Sequence, residues 1–240
     1  MSKTALVLEG GAMRSLYTSG VLDVLMQNNI EVDAVVGVSA GALTGANYIS
    51  KQIGRSANIN IEYWDDSKYI GLKAIKQSKG LFGFDYLFNE ISEKDNPFDE
   101  KTFNNNKCEF IVGATNCKTG KTEYFKQDIW EEKTQKIVQA SSSMPLISNM
   151  VDIDGVKYLD GAIECNIPIE WALENNYEKI IVVLTRDENY IKKSLSNKMK
   201  KAYSIVYKKY PELIEKLNCS YIAPDDVDMS LENILGDNHE

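Results

Sequence analysis

The chain has 240 residues, 43% of them apolar and 26% charged, enough to bury the core of one large domain. Its net charge of −8 speaks against a nucleic-acid partner, because phosphate contacts need clustered cations. The longest uncharged stretch, residues 34–50, holds three glycines, two serines and an asparagine, so it reads as a buried turn rather than a membrane span. Met1-Ser2-Lys3 leads straight into a strand-like run, so no secretory leader is predicted. A cytoplasmic protein, at most peripheral at the membrane, is expected. Cys108, Cys117, Cys165 and Cys219 lie far apart without a C-x-x-C pair and read as reduced thiols.

Thr4 to Leu8 is an apolar run of strand length ending at Glu9-Gly10-Gly11-Ala12-Met13-Arg14-Ser15. Leu16, Gly20, Val21, Val24 and Leu25 then recur at helical spacing, and the helix should stop near Asn28-Asn29. The second unit repeats the plan, with a strand over 33–37, a turn at Gly37-Val38-Ser39-Ala40-Gly41 and a helix over 42–52. Strand–helix–strand–helix implies parallel pairing and an α/β sheet. Loops at the carboxyl ends of such strands converge on one crevice, which would bring the glycine loop and Ser39 together.

Ile53 to Trp64 reads as a helix. Ser78 to Phe88 mixes glycine with aromatics, and it fits either the wall or lid of an apolar pocket or a helix packed on the core. Glu109–Asn116 and Lys121–Phe125 flank Thr119-Gly120 as a hairpin. Asp128 to Ala140 reads as a helix broken by Ser141-Ser142-Ser143-Met144-Pro145. Val151–Ile153 and Val156–Leu159 flank Asp154-Gly155, a tight-hairpin signal. Ile167 to Asn175 reads as a helix and Lys179 to Leu184 as a buried strand. A core over about 3–185 with a helical extension and acidic tail over 186–240 is expected, all in one domain.

From Lys192 to Lys209 there are seven lysines and no acids, and from Glu212 onward eight acids and one lysine. Lys192, Lys193, Lys198, Lys200 and Lys201 could meet an anionic membrane surface. A solvated helix face is the competing reading and the favoured one.

Gly37-Val38-Ser39-Ala40-Gly41 between an apolar strand and a small-residue helix has the context of a nucleophile elbow. A plain Gly/Ser turn is the alternative. A serine hydroxyl needs a base to take its proton, and the only histidine is the penultimate residue, His239. A terminal residue in an acidic tail is a poor candidate for an ordered site, so the base must be Asp, Glu, Lys or Tyr. Asp160 is the candidate: it closes a strand, and Gly161 lets another segment approach closely. Taken alone, Asp160-Gly161 reads better as a simple strand-ending turn. The Glu9–Ser15 loop lacks the glycines of a dinucleotide fingerprint and the ending of a Walker loop. What remains is a row of backbone N–H groups at Gly10, Gly11 and Ala12, at a helix N-terminus beside Arg14, suited to an oxyanion hole.

Glu9-Gly10-Gly11-Ala12-Met13-Arg14, Gly37-Val38-Ser39-Ala40-Gly41, the segment from Ala140-Ser141 to Pro145, and Asp160-Gly161-Ala162 together resemble the patatin-like phospholipase family in order and spacing. The resemblance spans roughly Lys3 to Leu184. It implies a three-layer α/β/α sandwich with a mostly parallel central sheet, Ser39 as nucleophile and Asp160 as base. It implies an oxyanion hole from Gly10, Gly11 and Ala12, and hydrolysis of acyl-ester lipids with no metal or other cofactor. Two positions depart from the family pattern, which has glycine where Ala12 and Ser15 stand. If the loop needs positive φ at residue 12, alanine there costs ~1–2 kcal/mol. That motivates a second reading, a weak or inactive binder of acyl lipids or of a partner. A third keeps the acyl-enzyme but transfers the acyl group to an acceptor.

Overall fold

The computed structural model describes residues 2–78, 80–187, 190 and 195–219. In chain order its elements are β1 (Thr4–Leu8), α1 (Ser15–Gln27), β2 (Ala34–Val38), α2 (Ala40–Ile49), α3 (Arg55–Glu62), α4 (Leu72–Ser78) and α5 (Phe84–Tyr86). The last runs on as a π-helical segment, Leu87–Asp95. Then follow α6 (Glu100–Asn105), β3 (Glu109–Asn116), β4 (Thr122–Gln127), α7 (Glu132–Ser141), β5 (Val151–Ile153), β6 (Val156–Asp160), α8 (Ile169–Glu174), β7 (Lys179–Val183), α9 (Asn197–Val206) and α10 (Pro211–Cys219).

The protein is a mixed α/β fold with a central, mostly parallel sheet flanked by helices. β7, β1, β2 and β3 run parallel. β4 and β6 both run against β3, and β5 runs against β6, so β5 points the same way as β3. The ladder β3 shares with β4 is continuous, so β2 and β6 must share the opposite edge of β3. β2 leaves that edge at the pair Val38–Gly113, and β6 takes it up at the next pair, Asp160–Ala114. Two strands distant in sequence therefore meet head-on, Ser39 beside Asp160.

Alternation along the parallel strands divides the core. Leu6, Leu8, Val35, Phe110 and Val112 face one cluster, while Ala5, Val7, Ala34, Val36 and Ile111 face the other. The second face is thinly covered, chiefly by Ala172 and Trp171 of α8 with Tyr177. A third cluster joins α9 and α10 to the sheet side, with Tyr203, Tyr207, Leu213 and Leu217 packed near Leu159 and Ile163.

α2 ends at Ile49 rather than at 52 and α3 spans Arg55–Glu62 rather than 53–64, and three further segments differ from the sequence expectation. Lys179–Leu184, read as a buried strand, is the half-exposed strand β7 at the sheet's end, because only β1 flanks it. α7 begins at Glu132 rather than Asp128, since Asn104 Oδ1 takes the Trp130 N–H (2.6 Å) and Thr134 Oγ1 donates to the Ile129 carbonyl (2.7 Å), holding a loop there. α8 begins after Pro168, which has no N–H for a helix interior. In the C-terminal part, Lys198 and Lys201 are exposed and Lys200 is half-buried. Lys192, Lys193, His239 and the acidic tail beyond residue 219 lie outside the described residues.

Candidate active site

Ser39 stands between β2 and α2 with φ 56° and ψ −128°, a conformation that costs a non-glycine residue about 1–3 kcal/mol. The surroundings enforce it. A Cβ on Gly37 would lie 2.6 Å from the Gly41 carbonyl oxygen, and one on Gly41 would lie 2.5 Å from the Leu8 carbonyl oxygen. The elbow is thus packed backbone to backbone, and the end of β1 is locked beside it. The Ser39 N–H donates to Ser141 Oγ (2.8 Å), whose hydroxyl donates to the Gly113 carbonyl (2.6 Å). Ser141, at the end of α7, thereby pins the strained residue to β3.

Ser39 Oγ donates to Asp160 Oδ2 at 2.8 Å. The other carboxylate oxygen, Oδ1, accepts the Ala162 N–H at 2.9 Å. The Asp160 main chain is held by its N–H to the Ser143 carbonyl (2.9 Å) and by Thr115 Oγ1 to its carbonyl (2.9 Å). Gly161 lets this corner close on β3, since a Cβ there would lie 2.4 Å from the Gly113 oxygen. Asp160 is only 1% exposed. Burial pushes its carboxyl up to about 7, against the opposite pull of the Ala162 N–H and the Ser39 hydroxyl. A hydroxyl bonded to a carboxylate that titrates near neutrality can hand over its proton.

The glycine loop lies against this pair, with the position of a Gly10 Cβ 3.2 Å from Ser39 Cβ. Its three expected donors are not equivalent. The Gly10 N–H donates to the Asn166 carbonyl (3.1 Å), so that donor is occupied by the fold. Gly11 and Ala12 open a 3₁₀ turn, Ala12–Arg14, that runs into α1. Ala12 has φ 46°, the left-handed backbone for which glycine is the easy residue. Ser15, the other departure from the family pattern, donates its hydroxyl to the Ala12 carbonyl (2.7 Å), so the two changes are coupled. Arg14 is half-buried, and the residues on either side of it, Met13 and Ser15, line the cleft.

Residues to which the sequence reading gave no role hold the loop from behind. Glu9 is buried, accepting Asn166 Nδ2 (2.8 Å) and the Thr185 N–H. The acidic residue before Gly10-Gly11 was the visible signal. Asn166 and Thr185 carried none, being 157 and 176 residues away.

An apolar cleft opens from Ser39 and Ala12 along α2. Its wall includes Phe82, Phe84, Leu87 and Phe88; Phe84, Leu87 and Phe88 are also buried in the core on a helical segment, so the aromatic stretch is both a core-packed helix and a pocket wall. Phe84 and Phe88 stack at 6.1 Å, and Phe98 lies 4.3 Å from Trp130. Among the described residues no group of three His, Cys, Asp or Glu side chains is placed to hold a metal ion. No described helix is long and apolar enough to cross a membrane.

The chain is 27% identical over 189 residues to the uncharacterized protein YjjU of Escherichia coli, an alignment covering 76% of this chain and 52% of that protein. Among solved structures it resembles VipD from Legionella pneumophila at 13% identity and a TM-score of 0.39, covering 67% of this chain and 46% of the other. The chain spans about half the length of each. The sequence model of the patatin-like phospholipase family matches residues 6–173, and the protein belongs to that family.

Proposed function

We propose that the protein is a serine esterase of lipid acyl groups working through Ser39 and Asp160. The observation that carries the reading is the 2.8 Å hydrogen bond from Ser39 Oγ to a buried carboxylate at the mouth of an apolar cleft. Ser39 Oγ attacks the ester carbonyl and its proton passes to Asp160. The N–H groups of Gly11 and Ala12 stabilise the oxyanion. The tetrahedral adduct collapses to an acyl-serine as Asp160 returns the proton to the leaving alcohol. Water, deprotonated by Asp160, then releases the acid and restores Ser39. Aligned donors of this kind typically lower the barrier by ~2.7–4 kcal/mol each.

The test is burst hydrolysis of p-nitrophenyl acyl esters by the parent, Ser39→Ala and Asp160→Asn. A burst in the parent alone supports the assignment, and equal rates in all three remove it. Labelling by a fluorophosphonate separates an enzyme from a binder with an unactivated Ser39. Products formed with added acceptor alcohol separate hydrolysis from acyl transfer.

Contact with a membrane surface is part of the proposal. On α9, Lys198 and Lys201 are exposed beside Ile205 and Val206, which are 63% and 56% exposed. Cations flanking apolar side chains suit an anionic lipid surface. Co-sedimentation with anionic vesicles that weakens in high salt is the expected result. Absence of binding at every salt concentration would remove this part.

A further inference from the structure

The cleft does not end as a hydrocarbon pocket should. From Ser39 it follows α2 past Leu43 and Ala46 to Asn47, and eight residues of helix place that end ~12 Å away. There the lining turns polar, and Arg55, the first residue of α3, contributes to it. Arg55 is 6% exposed. Nη1 donates to Asn47 Oδ1 (2.8 Å), Nη2 to Ser92 Oγ (2.9 Å) and the Asn96 carbonyl (2.8 Å), and Nε to the same carbonyl (3.2 Å). Phe98 lies against the guanidinium, 5.2 Å from ring centroid to carbon. Every one of these partners is neutral. Among the described residues no carboxylate pairs with Arg55.

Burial lowers its pKa only to about 10, so the group is a cation at neutral pH. A buried charge without a counter-charge is costly, and a cleft that leads to it offers the missing partner a way in. Nη1 has a second N–H beyond the one given to Asn47. A guanidinium matches a carboxylate better than any neutral group.

We propose that Arg55 makes the far end of the cleft a subsite for a carboxylate at the distal end of the acyl group. The preferred substrates are then half-esters of dicarboxylic acids, of roughly ten carbons to span the ~12 Å when extended, rather than plain alkanoates. The proposal rests on Ser39 as the nucleophile at the other end.

The test compares kcat/KM for mono-p-nitrophenyl sebacate and p-nitrophenyl decanoate, in the parent, Arg55→Met and Arg55→Lys. The ratio within each protein is blind to how much of it folds. The parent should favour the half-ester roughly tenfold or more, a charged hydrogen bond being at stake. Arg55→Met should reverse the preference and Arg55→Lys retain part of it. A parent that prefers decanoate, or a ratio unchanged in Arg55→Met, overturns the proposal. If neither variant folds, the parent's ratio decides alone. If neither ester is turned over, the Ser39 reading fails by itself, and calorimetry on Ser39→Ala decides the subsite. Sebacate must then bind more tightly than decanoate, and equal binding overturns it.

Discussion

The two ends of the site are built on opposite principles. At the elbow, backbone meets backbone: added Cβ atoms on Gly37, Gly41 and Gly161 would fall 2.4–2.6 Å from carbonyl oxygens, and Ser39 and Ala12 are held at positive φ. Along the cleft, side chain meets side chain: rings of Phe84, Phe88, Phe98 and Trp130 pack at centroid distances of 4.3 to 6.2 Å. The proposed proton transfer requires one hydroxyl and one carboxylate at fixed separation, which steric exclusion would serve. Holding a hydrocarbon requires only shaped apolar surface, which several ring arrangements supply.

The contrast can be broken most sharply at its rigid end. Ser39→Ala should lower kcat/KM for p-nitrophenyl esters roughly 10⁴-fold or more. Loss of only a fewfold would mean that the elbow is not where the chemistry occurs.

Asp160 tests whether rigidity is held against an electrostatic cost. Its carboxyl is raised to about 7, against about 3.9 when unfolded. Below the lower value both states hold the proton and nothing is lost. Between the two, the unfolded chain releases it while the folded chain keeps it, so stability falls as pH rises and levels off above about 7. Asp160→Asn should therefore melt higher than the parent at pH 8, by up to ~4 kcal/mol, with the difference vanishing near pH 4. In the parent, kcat/KM should climb through pH 7 as the base ionises. A flat profile across that range, or an Asn variant less stable at pH 8, would count against a buried base.

Gly161→Ala measures the steric side. A methyl group 2.4 Å from the Gly113 oxygen must push β6 away from β3, at about 1–3 kcal/mol, with activity falling further than stability. Unchanged activity would show that the corner yields. At the adaptable end, Phe88→Leu should lower kcat/KM for decanoate severalfold and leave acetate nearly untouched. Equal losses on both esters would mean that the wall supports the elbow rather than the acyl chain. Smallest of all, Ala12→Gly relieves a φ of 46° and should raise stability by ~1 kcal/mol, or Tm by about 2–4 °C.

Much of the rigid end was visible in the chain. Small residues on either side of Ser39, a strand before it and a helix after it are requirements met within ten residues. The lone, penultimate histidine leaves a carboxylate as the candidate partner, and the one before Gly161, Asp160, lies 2.8 Å from Ser39 Oγ. The family's glycine raised positive φ at residue 12 only as a condition, and the tertiary structure shows both that φ and the Ser15 hydroxyl bonded to the Ala12 carbonyl. The cleft was legible merely as an aromatic cluster with two readings. Exposure of Lys198 and Lys201 fits both readings of the lysine stretch, a solvated face and a contact with an anionic surface.

Residues 1–185 thus determined by themselves the strand–turn–helix units, the hairpin that ends in Asp160 and the chemical types at the elbow, because each is a constraint between near neighbours. Only the tertiary structure decided that β6 takes over the edge of β3 where β2 ends, that Ser141 holds Ser39 from 102 positions away, and that the Gly10 N–H is taken by Asn166. It alone placed Arg55 at the far end of the cleft from Ser39. Such contacts join segments whose spacing along the chain carries no imprint of their meeting. They exist because the sheet's register and the closure of the core bring them within hydrogen-bonding distance.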